Sequence, residues 1–157
     1  MRKTEREVAN FDDQIDILDR CECIRVGFND SPYPYVVPLS FGYKVEEKKL
    51  TLYFHCAPVG RKIELIEKDP NVCVEADVVK LFNGDERGIS CDFDSVICNG
   101  KVVEIKGEEA LKGLNLILRH CGYPEREFKE SVLDNMKMFR IDIEEMSGKR
   151  RNNDNIH

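Results

Sequence analysis

Polar and apolar residues alternate around Ile24, Val26 and Phe28, and this period of two predicts a first strand over residues 23–28. Asn29-Asp30-Ser31-Pro32 follows as a dense turn signal. Residues 35–43, reading YVVPLSFGY, predict a second strand. Pro38 has no N–H to give to a ladder, so this strand is expected at a sheet edge or a bulge. A polar turn over 45–49 leads to a third strand, 50–55. The period then changes. Ile63, Leu65 and Ile66, set among Arg61, Lys62, Glu64, Glu67 and Lys68, predict a short amphipathic helix that stops near Asp69-Pro70. Residues 71–76 predict a fourth strand and 95–105 a fifth, with Asn99-Gly100 marking a bulge. Residues 138–143 predict a sixth. Helical spacing recurs over 11–20, where Asn10 or Asp12 is the expected cap, over 108–121 and more weakly over 125–136.

The remaining stretches read as polar. Residues 1–10 are expected as an arm and 147–157 as a loose tail. Residues 78–94, with Gly84 and Gly88 among acids and amides, are expected as a long mobile loop. About six strands joined mostly by hairpins, with helices at the periphery, indicate a mainly β (α+β) antiparallel barrel forming one domain over 1–157. The alternation of strands and helices that a Rossmann-type sheet needs is missing.

Composition narrows the classes. A 41% hydrophobic content supports a packed core. The net charge of −6 disfavours a nucleic-acid binder, which needs a basic face. No apolar run approaches the ~20 residues of a membrane helix, and residues 1–7 lack the apolar segment of a signal peptide. A cytoplasmic protein is expected. The seven cysteines, an odd number, are read as reduced thiols, with Cys73 and Cys98 in the core. No spacing fits a metal site, and none is expected.

The chemistry concentrates in residues 50–69. A strand ends, Ala57-Pro58-Val59-Gly60 turns the chain, and two cations open a helix. A helix N-terminus already carries partial positive charge and unpaired N–H groups. Arg61 and Lys62 therefore sit against the local field unless an anion lies between them and the helix end, which is the composition of a phosphate site.

The segment Tyr53-Phe54-His55-Cys56-Ala57-Pro58-Val59-Gly60-Arg61-Lys62 resembles the FMN-phosphate motif of the pyridoxamine 5'-phosphate oxidase-like flavoproteins. It is most similar to their nitroimidazole-resistance branch, which carries His-x-Ala-x-x-Gly-Arg-Lys here. Further pieces match in order between about Cys23 and Lys149: residues 35–43, Ser95-Val96-Ile97-Cys98-Asn99-Gly100-Lys101, and a closing strand from Phe139 to Gly148-Lys149.

The resemblance implies a split β-barrel homodimer with FMN in clefts at the interface. Arg61 and Lys62 would hold the phosphate and Gly60 would let the backbone approach. Pro38, Leu39 and Ser40 would run beside the isoalloxazine ring, Phe54 and His55 would border it, and Ser95 and Val96 would contribute from the fifth strand. His55 is the one candidate catalytic group, as donor of a hydrogen bond or proton. The implied activity is FMN-dependent reduction of a small planar acceptor such as a nitro-aromatic. Pyridoxal-phosphate synthesis is not expected, because the chain has no Trp and ends in NNDNIH, without the family's substrate-phosphate segment. A non-catalytic flavin- or haem-binding module, with His55 as axial ligand, and a deazaflavin-dependent reductase are the rivals.

Overall fold

The computed structural model describes residues 3–86 and 88–152. Eight strands form one antiparallel sheet: β1 Glu7–Val8, β2 Ile24–Phe28, β3 Tyr35–Leu39, β4 Gly42–Glu46, β5 Lys49–Cys56, β6 Asn71–Asp85, β7 Gly88–Ile105 and β8 Lys137–Arg151. Their order is β3-β2-β6-β7-β8-β5-β4, with β1 added to β8. The two ends of that path, β3 and β4, are consecutive in the chain and joined through Ser40 and Phe41. The sheet therefore curls into a split barrel.

Alternation decides which side chains fill it. Ile24, Val26 and Phe28 point inward from β2, Leu52 and Phe54 from β5, and Phe139 and Ile141 from β8, all fully or nearly fully buried. Phe54 and Phe139 stack with centroids 5.2 Å apart and planes at 17°. Helix α1, Phe11–Asp19, is capped by Asn10, whose Oδ1 accepts from the amides of Asp12 (2.8 Å) and Asp13 (3.2 Å). It buries Ile17 and Leu18 in the same core. Helix α2, Arg61–Lys68, follows β5 and buries Ile63 and Leu65. Helix α3, Gly107–His120, sets Ala110, Leu114 and Ile117 over Tyr53, Ile105 and Met138 on the outside of the sheet.

Several expectations need correction. There are eight strands, not six. Residues 78–94 are not a loop: β6 and β7 pair from Asn71↔Lys101 to Asp85↔Gly88, with one register shift between Val79 and Leu81. The β-forming residues Val79, Leu81, Phe82, Ile89 and Phe93 outweigh the acids and glycines that suggested a loop. Residues 35–43 are two strands that turn at Ser40-Phe41. The expected arm is partly anchored, since Glu7 and Val8 pair with Lys149 and Gly148. The expected tail is strand as far as Arg151; residues 1–2 and 153–157 lie outside the described residues. Residues 125–136 form only a 3-10 turn, Glu130–Asn135. Cys73 is exposed rather than core, because it alternates with the inward Val72 and Val74. The edge placement of Pro38 and the bulge at Asn99/Gly100 are both present.

Between α1, β6, β7 and β8 lies one fully buried carboxylate. Asp94 accepts from Arg20 (2.7 Å) and Arg150 (2.9 Å) and pairs with Lys80 (2.8 Å). Burial pushes its pKa up, but the hydrogen bonds from Lys80, Arg20 and Arg150 outweigh burial and hold it below the ordinary value. Among the described residues no helix is long and apolar enough to cross a membrane.

Candidate functional site at the split of the barrel

The site is built where β5 leaves the sheet. Inward Phe54 and outward His55 follow from strand alternation, and the chain then turns through Ala57-Pro58-Val59 to Gly60. Gly60 has φ 134° and ψ 175°, a backbone conformation open to glycine and strained for other residues. It starts α2 without any side-chain cap. The Ile63 amide bonds to the Gly60 carbonyl at 2.9 Å, and the amides of Arg61 and Lys62, one turn too early for such a bond, stay available.

Arg61 reaches across the split to the β2–β3 turn. Its Nε donates to Asp30 Oδ2 at 3.1 Å and its Nη2 donates to the same oxygen. Its Cζ lies 4.8 Å from the centroid of the Tyr35 ring. The hydrogen bond from Arg61, then that from the Ser31 amide, holds the Asp30 carboxyl below its usual pKa. Lys62, half-buried, has no ion-pair or hydrogen-bond partner among the described residues. An unpaired ammonium beside unpaired amides and an open backbone is a fit for an anion such as a phosphate.

The other candidates fall into two groups. Pro38 and Ser40 are exposed and Ser95 half-buried; all three face outward from the sheet, whereas Leu39, Phe54 and Val96 point inward. Phe54 and Val96 are core side chains, so only their backbone faces the surroundings. Leu39 pairs with Ile24, Val96 with Ala76 and Ser95 with Asp77. Three strand spacings thus separate Leu39 from Val96, roughly 14 Å. The β4–β5 register ends at Gly42↔Tyr53. Carried two residues further, it sets Ser40 level with His55. Tyr35, at the start of β3, meets Arg61 at the start of α2. The ring of His55 is exposed to solvent, yet the protein around it disfavours its charged form and lowers its pKa. Neither of two cavities, about 570 and 530 Å³, is lined by His55, Gly60, Arg61 or Lys62. One lies between Pro58 and Met138 and the other over Gly27, Val36 and Cys73.

Sequence reasoning missed Asp30 and Tyr35. Asp30 sits in a turn signal and Tyr35 in a strand, and only closure of the barrel brings them to Arg61.

The fold defines the class, a split-barrel protein whose β5–α2 turn opens a helix with two cations. The chain belongs to the pyridoxamine 5'-phosphate oxidase family, whose model matches residues 12–150. No protein with a curated description matches. Among solved structures, the chain is similar to a candidate 5-nitroimidazole antibiotic resistance protein from Bacteroides thetaiotaomicron VPI-5482. Identity is 29%, the match covers 91% of this chain and 85% of that one, and the TM-score is 0.80. This agrees with the motif's resemblance to the nitroimidazole-resistance branch. The flavocytochrome Anf3 from Azotobacter vinelandii shares the fold at 21% identity, 97% and 72% coverage and a TM-score of 0.77. A FAD-binding protein from Mesorhizobium loti does so at 24% identity, 94% and 98% coverage and 0.66.

Proposed function

We propose that the protein is an FMN-dependent oxidoreductase that reduces a small planar acceptor such as a nitro-aromatic, as a cytoplasmic homodimer. The observation that carries this reading is the cradle at the start of α2. Unpaired Lys62, the free amides and Arg61 supply the charges and donors a phosphate requires. Family membership supports a flavin, and the description of the Bacteroides protein supports a nitro-aromatic acceptor.

Bound FMN would supply the electron-transfer chemistry, and the chain's own residues bind and orient. Gly60, Arg61 and Lys62 would hold the phosphate. Pro38, Ser40 and Ser95 would line the ring from the outer face, and Leu39, Phe54 and Val96 would shape that wall from beneath. His55, neutral at pH 7, would hold a hydrogen bond or a proton at the acceptor. The same outer face exposes Val36 and Ile97, at 56% and 48%, and a second copy would cover them. All seven cysteines are free, which suits a reducing compartment.

The test is the visible spectrum of the purified protein and the mass of the released chromophore. FMN, followed by turnover of a nitro-aromatic with a reduced nicotinamide donor, is the expected result. A released deazaflavin would replace FMN in the reading, and a protein that neither carries nor takes up flavin would overturn it. One observation favours a second reading. An exposed, neutral imidazole is a competent haem ligand, so haem addition giving a Soret band that His55→Ala abolishes would assign haem binding.

A further inference from the structure

We propose that Asp30 and Tyr35 are positioning residues that clamp the Arg61 guanidinium, so that its free edge meets the phosphate of an FMN-like ligand at the start of α2. The proposal rests on the phosphate reading of the cradle and names what makes that cradle selective.

The clamp fixes Arg61 on two sides. Asp30 Oδ2 accepts from both Nε and Nη2, which occupies one edge of the guanidinium plane. The Tyr35 ring lies over one face, 4.8 Å from Cζ. Each holder is itself held. Asp30 Oδ1 accepts from the Ser31 amide at 2.8 Å, so the carboxylate cannot turn away. Tyr35 packs against buried Phe28, with centroids 6.3 Å apart. What remains free is Nη1, which has no partner among the described residues. Asp30 is mostly buried and Arg61 mostly exposed, at 15% and 58%. A ligand arriving from solvent therefore meets more of the guanidinium than of the carboxylate.

A free arginine on a surface helix samples many rotamers and loses them when it binds. A clamped arginine has lost them already, so more of the contact appears as affinity. The carboxylate also has an electrostatic cost, because it offsets the charge of Arg61. Lys62 is not offset, so Arg61, Lys62 and Asp30 together stay positive and the helix amides add to that. Geometry argues that orientation outweighs repulsion, because Asp30 takes the Nε edge and leaves the opposite edge open. A ligand with a terminal phosphate gains from the clamp, and the same ring system without phosphate does not.

The experiment compares FMN with riboflavin by fluorescence titration in wild type, Asp30→Asn, Tyr35→Leu and Tyr35→Phe. Wild type is expected to prefer FMN. Asp30→Asn and Tyr35→Leu are expected to weaken FMN at least tenfold while riboflavin stays within twofold, and Tyr35→Phe, which keeps the ring face, to match wild type. Equal losses for both ligands, or an unchanged preference for FMN in Asp30→Asn and Tyr35→Leu, would overturn the clamp and leave the phosphate site standing. Tighter FMN binding in Asp30→Asn would overturn it too, by showing that the carboxylate competes with phosphate. A wild type that binds FMN no better than riboflavin would remove the phosphate reading itself.

Discussion

Gly42 meets Leu116 at backbone contact: a Cβ on Gly42 would lie 2.3 Å from the Leu116 carbonyl carbon. Helix α3 thus rests directly on the first residue of β4, just after the Ser40-Phe41 corner that joins the two ends of the sheet. Gly42→Ala has no flexible side chain to displace, so helix or strand must move. The expected cost is about 3 kcal/mol, the upper end of overpacking penalties. For a chain of this size that lowers the melting temperature by about 10 °C in a calorimetric scan.

Removing the cradle's cations separates its parts. Lys62→Ala is expected to weaken FMN by about 1.5–3 kcal/mol, the loss of one charge-assisted contact, and Arg61→Ala with Lys62→Ala by about twice that. Flavin fluorescence titration reads both, and an undiminished affinity in the double variant would take these residues out of the site.

Asp94 ties stability to acid. Its folded pKa lies below the ordinary carboxylate value, so its contribution is complete above about pH 4 and is lost as pH falls through the folded pKa. Asp94→Asn is expected to cost roughly 2–3 kcal/mol in urea unfolding at pH 7. That is less than for a fully buried ion pair, because Arg20, Lys80 and Arg150 each remain about a third exposed. The variant should also flatten the acid limb of the stability curve.

His55 has the same sign by another route. Desolvation by the surrounding protein lowers its folded pKa, so its stabilising contribution is present above about pH 6.5 and is lost as pH falls through the lowered value. Its imidazole signal in an NMR titration should have its midpoint below 6.5. His55→Gln should keep flavin affinity within a few-fold and slow nitro-aromatic turnover by about 10²-fold or more, the usual share of a positioned acid or base.

The outer face gives an assembly prediction. Val36→Glu with Ile97→Glu places two charges on an exposed apolar part of the sheet. Sedimentation should show a monomer with weakened flavin binding, and the circular dichroism of the barrel should be unchanged. A dimer that survives both changes would place the subunit contact elsewhere.

Much of this fold was legible locally. Alternation at Ile24, Val26 and Phe28 and helical spacing at Ile63, Leu65 and Ile66 give β2 and α2 with correct faces, because each element's own burial pattern is enough. The 78–94 hairpin was hidden because it carries acids and glycines that also mark loops. At the site, the turn through Gly60 into a helix opened by Arg61 and Lys62 was legible. The partnership of Arg61 with Asp30 and Tyr35 was not, since it depends on barrel closure between segments some thirty residues apart.

Strand β8 pairs with β1, β5 and β7, so it seals three parts of the sheet at once. Its residues are also the last of the described strands to be synthesised. Until Phe139 arrives, Phe54 has no ring to stack on and β5 has only its hairpin partner β4. Until Gly148 and Lys149 arrive, β1 has nothing to pair with. The barrel therefore cannot close before β8 has been made. Its hydrophobic interior stays open to other proteins until β8 arrives, the interval in which a chaperone has most to protect.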